Sequence, residues 1–236
     1  HDPKNREVLD YVLKRGTHME TIRAFSLGYA PDDYSALRDY LLKQGYTDRQ
    51  LQEVALTKAS TKGKDPYVFF RGRIMFPVKD RRGRVVAFGG RILPDNMRPP
   101  STSGYEPAKY MNSPETPIFH KGMMLYGEQF ARPAAADGQN LLVVEGYFDV
   151  IACYQAGYKG AVAPMGTALT EDQISLLWKM IPADNKIPYL CFDGDNAGRR
   201  AAERAVERII PLLSAGQSAN IVFLPEGEDP DSLLAS

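Results

Sequence analysis

Residues 141–149 read LLVVEGYFD, and this stretch decides the fold. An unbroken apolar run that ends in a carboxylate and a glycine is typical of a strand buried on both faces of a parallel sheet. From here to the end of the chain, apolar runs alternate with helical patterns. Strands are predicted at 141–145, 161–164, 187–192 and 220–224, and helices at 148–156, 170–180 and 197–213. This alternation predicts a Rossmann-like α/β fold, in which helices flank a parallel sheet.

The residues before this stretch follow a different pattern. Residues 1–57 read as helices, with capping-box sequences at 17–20 (THME) and 47–50 (TDRQ). Apolar runs at 67–70, 74–78 and 85–88 predict short strands, and DRRG at 80–83 predicts a hairpin turn. Residues 94–117 are rich in Pro, Ser and Gly and are predicted to form a long loop. We therefore expect an α+β subdomain over 1–138 and an α/β domain over 139–236.

Composition excludes several classes of protein. The chain has 236 residues, of which 44% are hydrophobic and 25% charged, as in a folded globular protein. No apolar run approaches about 18 residues, so no membrane span and no membrane partner are predicted. The two cysteines, Cys153 and Cys191, form no C-x-x-C motif, which excludes a zinc ribbon within this span. Buried, reduced thiols of a cytoplasmic protein are the expectation.

The formal net charge is zero, which taken alone argues against a nucleic-acid partner. The charge is, however, unevenly distributed. Residues 1–57 carry a net charge of −1, residues 58–138 carry +7 and residues 139–236 carry −6. The zero is therefore a cancellation between a basic middle segment and an acidic final segment.

The acidic residues of the final segment fall where predicted strands end. Glu145 follows the first strand, and Asp193 and Asp195 follow the third. Asp149 lies four residues after Glu145, and a further pair, Asp229 and Asp231, follows the last strand. Because the carboxyl ends of parallel strands share one edge of the sheet, we expect these carboxylates to meet there.

Crowded carboxylates repel one another unless some are protonated or a cation neutralises them. Hard divalent cations such as Mg²⁺ prefer oxygen ligands, and the chemistry that they support at such an edge is phosphoryl or nucleotidyl transfer. Simpler roles remain open for single residues. A lone D-x-D is often a turn, Asp231 could cap a short helix, and Asp149 could interact with a helix dipole.

Basic residues of the middle segment lie on or between the predicted strands. Arg71 and Arg73 alternate with apolar residues, so we expect them to share a sheet face that follows a phosphate backbone. Arg91 comes after two glycines, which would allow a phosphate to approach closely. Arg199, at the start of a predicted helix, could bind an anion or pair with Glu203.

Several motifs together resemble the catalytic core of bacterial DnaG-type primases. Motifs that resemble the TOPRIM domain of that family are VVEGYFDV (143–150), GTALT (166–170), FDGDNAG (192–198) and EDPDSL (228–233). Motifs that resemble its N-terminal subdomain are RIMFPV (73–78), FGGR (88–91) and KYMNSPETPIFHK (109–121). Phe148 stands where the family commonly has Met.

The resemblance implies synthesis of short RNA primers from NTPs on a single-stranded DNA template. It implies Glu145, Asp193 and Asp195 as the catalytic metal site for Mg²⁺ or Mn²⁺, with Asp149, Asp229 and Asp231 as outer carboxylates. The residues expected to contact nucleotide or template are Arg71, Arg73, Arg91, Lys109, Tyr110, Asn112, Lys121 and Arg199.

Members of that family also carry an N-terminal zinc ribbon, a helical segment after the TOPRIM domain and a tail that binds the replicative helicase. None of these is recognisable here, so we expect this span to be a partial polymerase core, with zinc only in the ribbon. The expected location is the bacterial cytoplasm, at the replication fork in the nucleoid.

Two other functions remain open at this point. A TOPRIM nuclease or topoisomerase would use the same acidic edge for phosphodiester cleavage, although residues 58–125 fit a topoisomerase poorly. A catalytically silent module that binds nucleic acid or nucleotide is the other alternative.

Overall fold

The computed structural model describes residues 5–60, 65–98, 106–166 and 168–234. The helices are α1 (Arg6–Lys14), α2 (Met19–Phe25), α3 (Ala36–Lys43), α4 (Asp48–Glu53), α5 (Glu128–Ala136), α6 (Tyr147–Gln155), α7 (Glu171–Met180), α8 (Asn196–Ile209) and α9 (Pro230–Leu234). The strands are β1 (Gly28–Ala30), β2 (Thr57–Lys58), β3 (Tyr67–Val68), β4 (Arg73–Lys79), β5 (Val85–Ile92), β6 (Tyr110–Asn112), β7 (Leu142–Val143), β8 (Ala161–Val162), β9 (Tyr189–Phe192) and β10 (Asn220–Phe223).

An antiparallel sheet with the order β1-β4-β5-β6 forms the centre of the first half. Its β4–β5 hairpin turns at the predicted position, where Asp80 Oδ1 accepts hydrogen bonds from the backbone N–H groups of Arg82 and Arg84. The prediction of an uninterrupted loop over 94–117 was wrong at β6, which pairs with β5. Residues 99–105 of that predicted loop lie outside the described residues.

A parallel sheet with the order β10-β9-β7-β8 forms the centre of the second half and confirms the predicted alternation. Its strands are shorter than the apolar runs that predicted them, because pairing covers only part of each run. Helices α6, α7 and α8 also lie where they were predicted. Thr167, within the GTALT motif, lies outside the described residues.

The capping-box sequences had different outcomes. The side chain of Thr47 caps α4, and that of Thr170 caps α7. The prediction at Thr17 was wrong, since α2 begins at Met19 after His18, without a side-chain cap. Thr17 is itself buried, and the backbone N–H of His18 donates instead to Gln155 Oε1 of α6, at 2.7 Å.

One hydrophobic cluster joins the two halves of the chain. Ile74 and Phe76 of β4 pack in the same cluster as Tyr147, Phe148 and Ile151 of α6. A second cluster lies between the parallel sheet, α7 and α8. The shared cluster holds the carboxyl edge of the parallel sheet against the antiparallel sheet.

No helix among the described residues is long and apolar enough to cross a membrane. Cys153 is buried and Cys191 is half-buried, and both are free thiols, as expected. Burial raises the pKa of the Cys153 thiol to about 12.

Candidate active site

Three catalytic carboxylates were predicted, and the structure brings two of them into contact. Glu145 follows β7 and Asp193 follows the neighbouring strand β9, and the backbone N–H of Asp193 donates to Glu145 Oε1 at 3.3 Å. Asp195 caps α8, where its Oδ1 accepts from the Gly198 N–H at 2.7 Å. Gly194 separates the two aspartates, and only glycine fits at this position because a Cβ there would collide with the backbone carbonyl of Pro225. The loops after β9 and β10 can therefore lie close together.

Asp149 is the most buried of these carboxylates. It lies on the first turn of α6, is 9% exposed, and its Oδ2 accepts from the Gly146 N–H at 2.7 Å. The pKa of Asp149 is raised to about 7, chiefly by burial and also by the negative charges of Asp229 and Asp193. The pKa of Asp193 is likewise raised to about 6, chiefly by burial and also by the charges of Glu145 and Asp229. Burial is the main cause of both shifts, and the neighbouring negative charges add to it.

These carboxylates fit a divalent cation in their chemistry. Asp193 Oδ1 is buried and has no hydrogen-bond partner among the described residues, so an oxygen is available to a ligand. No three His, Cys, Asp or Glu side chains in the described part of the chain converge closely enough to enclose a metal ion by themselves. Mg²⁺ commonly uses only one or two carboxylates and completes its shell with water and phosphate oxygens. The donor set therefore fits a divalent cation whose shell is completed by water and phosphate oxygens.

The outer aspartates have structural partners of their own. Asp229 Oδ1 accepts from the Ser232 N–H at 2.7 Å, so Asp229 rather than Asp231 caps α9. Asp231 forms an ion pair with Arg15, which lies just after α1. The Arg15 guanidinium also lies over the Phe148 ring, 4.5 Å from its centroid. This ion pair links the first and last helices across the candidate site.

A cavity of about 310 Å³ lies where the two sheets meet. Carboxylates line one side, and basic and polar side chains from β5 and β6 line the other. Of the predicted residues, those that line it are Arg91, Lys109, Tyr110, Asn112, Glu145, Asp149, Asp229 and Asp231. The structure thus brings eight of the fourteen predicted site residues together, from segments that are far apart in the sequence, whereas Asp193 and Asp195 do not line this cavity.

Arg91 is the cation with the most unusual surroundings in this cavity. Its Nη1 is buried and has no hydrogen-bond partner within the described ranges. Its guanidinium lies 5.2 Å from the centroid of the Phe148 ring and 5.7 Å from that of Tyr110. A buried donor without an acceptor is costly, and a bound anion would satisfy it.

Four predicted binding residues lie outside this cavity. The expectation that Arg71 and Arg73 share a sheet face was wrong, because β4 begins only at Arg73, after Gly72 at φ +57°. Arg73 is buried, and its Nη1 donates to the backbone carbonyls of Gly90 and Lys109. Arg71 lies over the Tyr34 ring, 3.7 Å from its centroid. Neither guanidinium lines the cavity that holds the carboxylates.

Lys121 and Arg199 are also separate from the cavity. Lys121 begins a 3₁₀ turn, Lys121–Met123, which is attached to α7 through Gln173. Arg199 is exposed on the first turn of α8, with its guanidinium 5.9 Å from the centroid of the Phe223 ring. Their predicted roles stay predictions.

Sequence reasoning did not identify Arg15 and Tyr147 as site residues, although both line the cavity. Arg15 follows an amphipathic helix in a segment without a chemical motif, and its partner Asp231 is 216 residues away. Tyr147 lies inside the VVEGYFDV motif, but no role was predicted for it. Only the tertiary contact between the two halves of the chain shows that these two side chains line the cavity.

Comparison with known proteins gives two family matches. Residues 1–132 match the family described as "DNA primase catalytic core, N-terminal domain", and residues 139–222 match the Toprim domain. The chain is 42% identical over 232 residues to the DNA primase of Pseudomonas aeruginosa, a match that covers 98% of this chain and 33% of that protein.

Solved structures give the same result. A DNA primase domain from Pseudomonas aeruginosa matches with a TM-score of 0.85 at 42% identity, over 99% of this chain and 68% of that one. A DnaG primase catalytic domain bound to ssDNA matches with a TM-score of 0.83 at 40% identity, again over 99% of this chain and 68% of that one. The chain spans about a third of the length of the curated relatives that it matches.

Proposed function

The chain belongs to the DNA primase catalytic core family, and from this membership we propose that it synthesises short RNA primers from NTPs on single-stranded DNA. The observation that carries the proposal is the cavity in which a carboxylate edge faces Arg91 and Lys109. Metal-dependent nucleotidyl transfer needs both parts, since anionic ligands hold the cations and cations hold the triphosphate.

The carboxylates would hold Mg²⁺ or Mn²⁺. Glu145, Asp193 and Asp195 would be the inner residues, with Asp149, Asp229 and Asp231 around them. A divalent cation bound there stabilises negative charge on the attacking and leaving oxygens of the transferred phosphate. The unpartnered Asp193 Oδ1 supports this assignment, and so do the raised pKa values of Asp149 and Asp193. The Glu145–Asp193 contact would keep the two strand ends in register with each other.

The opposite side of the cavity would bind phosphate. Arg91 has an unsatisfied buried donor, and Lys109 is exposed beside it. Both residues also line a second cavity of about 630 Å³, together with Tyr11 and Arg98. A ligand that spans both cavities would be longer than one nucleotide. We assign the second cavity to the template strand or to the growing primer.

The remaining assignments rest on the family. A zinc ribbon and a domain that binds the replicative helicase would belong to parts of the protein outside this span. A domain boundary near residue 138 is also part of the proposal, and the two family matches, over 1–132 and 139–222, support it. Activity in the bacterial cytoplasm, at the replication fork, follows from the proposed reaction.

Primer synthesis by the chain itself tests the proposal. The chain is incubated with NTPs, labelled single-stranded DNA, and Mg²⁺ or Mn²⁺, and the products are separated by size. We expect short RNA that depends on NTPs, template and metal, and its loss in Asp193→Asn with no loss of folding. Asp172→Asn, on the exposed first turn of α7, is the matched control and should stay active.

Two outcomes would contradict the proposal. Cleavage of the labelled DNA without NTPs would indicate a nuclease. Binding of DNA and nucleotide, unchanged in the variant and without product under any metal, would indicate a silent binding module.

A further inference from the structure

Tyr147 occupies the contact between the two halves of the molecule. It is the first residue of α6, directly after Gly146, and its side chain is 5% exposed. Its ring stacks on Phe76 of β4, with 4.7 Å between centroids and 13° between planes, and meets the Tyr126 ring edge-on at 4.6 Å. A Cβ at Gly89 of β5 would collide with the Tyr147 ring. The ring therefore fills a space that only a glycine on the opposite sheet leaves open.

The hydroxyl of this buried tyrosine has a specific acceptor. Tyr147 Oη donates to Asn112 Oδ1, and Asn112 lies on β6 directly opposite Gly89 in the strand register. Both side chains line the cavity that also holds Arg91 and Lys109. A contact made for packing alone would need the ring but not the hydroxyl.

The hydrogen bond determines which end of the Asn112 amide faces which way. An asparagine side chain has one acceptor oxygen and one donor NH₂ group, at opposite corners of the same plane. With Oδ1 accepting from Tyr147, Nδ2 is turned toward Gly166, where a Cβ would come within 2.7 Å of it. Gly166 lines the same cavity. The donor end of the amide thus lies next to a second residue that lines the cavity.

We propose that Tyr147 is a positioning residue, whose hydroxyl fixes the Asn112 amide so that its NH₂ donates to a phosphate oxygen bound in the cavity. This inference rests on the proposed function. The terminal torsion of asparagine is broad and nearly two-fold. Without the hydroxyl the amide is free to turn its oxygen toward the phosphate, which would replace an attractive contact by a repulsive one. The phosphate belongs either to the incoming nucleotide or to the template strand.

A double-mutant cycle on ligand affinity separates positioning from packing. Tyr147→Phe removes the hydroxyl but keeps the stacked ring. Titration calorimetry of the chain with ATP and Mg²⁺, and fluorescence anisotropy with a short single-stranded DNA, give the two dissociation constants. We expect Tyr147→Phe to weaken one of them by about three- to tenfold, the range of one hydrogen bond. The ligand that is weakened identifies the source of the phosphate.

In an Asn112→Ala background, Tyr147→Phe should have no further effect on affinity. Asn112→Asp keeps an acceptor for Tyr147 but replaces the donor by an anionic oxygen, so it should weaken binding more than Asn112→Ala does. Tyr158→Phe, at an exposed tyrosine outside the cavity, is the matched control. Thermal melting of each variant checks that the fold is kept.

Several results would overturn the inference. Unchanged affinities in Tyr147→Phe would show that the hydroxyl does not matter. A loss in Tyr147→Phe that persists undiminished in the Asn112→Ala background would show that the hydroxyl acts independently of Asn112. If the unmodified chain binds neither ATP nor DNA, the proposed function fails and the inference fails with it. If the chain binds but the cycle shows no coupling, only the inference fails.

Discussion

At the scale of single residues, the acidic edge is distinguished by two carboxyl groups whose pKa values are raised by burial. Asp149 has a pKa of about 7 and Asp193 of about 6, in each case with neighbouring carboxylates adding to the shift. Both groups therefore bind protons more tightly in the folded chain than in the unfolded one. The arrangement is unfavourable for folding at neutral pH unless a cation is bound, which is typical of sites built for a ligand rather than for stability.

The metal-free chain should lose stability as pH rises. A raised pKa in the folded state gives stability that is complete below the unfolded pKa, near 4, and is lost as pH rises through the folded pKa. We expect the free energy of unfolding in urea with EDTA to fall between about pH 4 and pH 7. In Asp149→Asn this fall should be smaller by on the order of a few kcal/mol.

Comparing the unfolding free energies of the unmodified chain and Asp149→Asn over pH separates the contribution of Asp149 from those of the other carboxyl groups that titrate in the same range. A difference between the unmodified chain and Asp149→Asn that is constant from about pH 4 to pH 7 would contradict the assignment. A gain in stability of the unmodified chain relative to Asp149→Asn, as pH rises through that window, would show that the pKa shift has the opposite sign.

At the scale of elements, a buried amide joins α7 to the 3₁₀ turn Lys121–Met123. Gln173 is 0% exposed; its Oε1 accepts from the Thr170 N–H at 3.1 Å, and its Nε2 donates to the carbonyls of Lys121 and Met124 at 3.0 and 2.8 Å. One side chain thus completes a helix cap and holds the 3₁₀ turn that carries Lys121. The α4 box has the same cap at Thr47 and Gln50, but in an exposed position.

Gln173→Ala and Gln50→Ala should therefore differ in cost. Gln50→Ala removes an exposed cap, which costs about 0.5–1 kcal/mol of unfolding free energy. Gln173→Ala removes a cap and also leaves two carbonyls unpaired, so the total cost should be about 2–4 kcal/mol. Urea unfolding of both variants measures the two values. Equal losses would show that the contacts of Gln173 with the turn contribute nothing to stability.

Some of the helices and strands could be predicted from the sequence and others could not. The parallel sheet was predictable because its strands are continuous apolar runs, and α7 because its cap lies within four consecutive residues. The entry of the chain into α2 was not predictable, since it depends on Gln155, 137 residues from His18. The prediction that Arg71 and Arg73 share a sheet face was wrong for a related reason. The positive φ of Gly72 breaks the alternation that the prediction assumed.

For the candidate site, sequence identified the carboxylates and Arg91 because each follows a local signal, a strand end or a pair of glycines. Arg15 has no such signal. Its significance comes from an ion pair between the two ends of the described chain, which only tertiary structure can reveal.

At the scale of the whole molecule, the two oppositely charged segments are held together by a shared core rather than by a flexible connection. The zero net charge hides a +7 segment and a −6 segment, which meet at the cavity. Tyr147 and Gly89 lie at the centre of that contact. The fit between these two residues should therefore affect both stability and ligand binding.

Gly89→Ala tests this contact. The added methyl group would collide with the Tyr147 ring, and overpacking of this kind typically costs about 1–3 kcal/mol. We expect lower stability in urea and weaker binding of ATP with Mg²⁺. Gly28→Ala on β1 is the matched control, because nothing lies within 4 Å of the added Cβ. Equal stability and affinity in the two variants would show that the halves do not depend on this fit.

The central claim is that the strand-end carboxylates hold a divalent cation opposite a phosphate-binding wall, and metal binding tests it most directly. Crystals of the chain soaked in MnCl₂ should show an anomalous peak in contact with Glu145 and Asp193, and crystals of Asp193→Asn should lose it. A soaked crystal without a peak at this edge, at a Mn²⁺ concentration that saturates other carboxylate sites, would contradict the account.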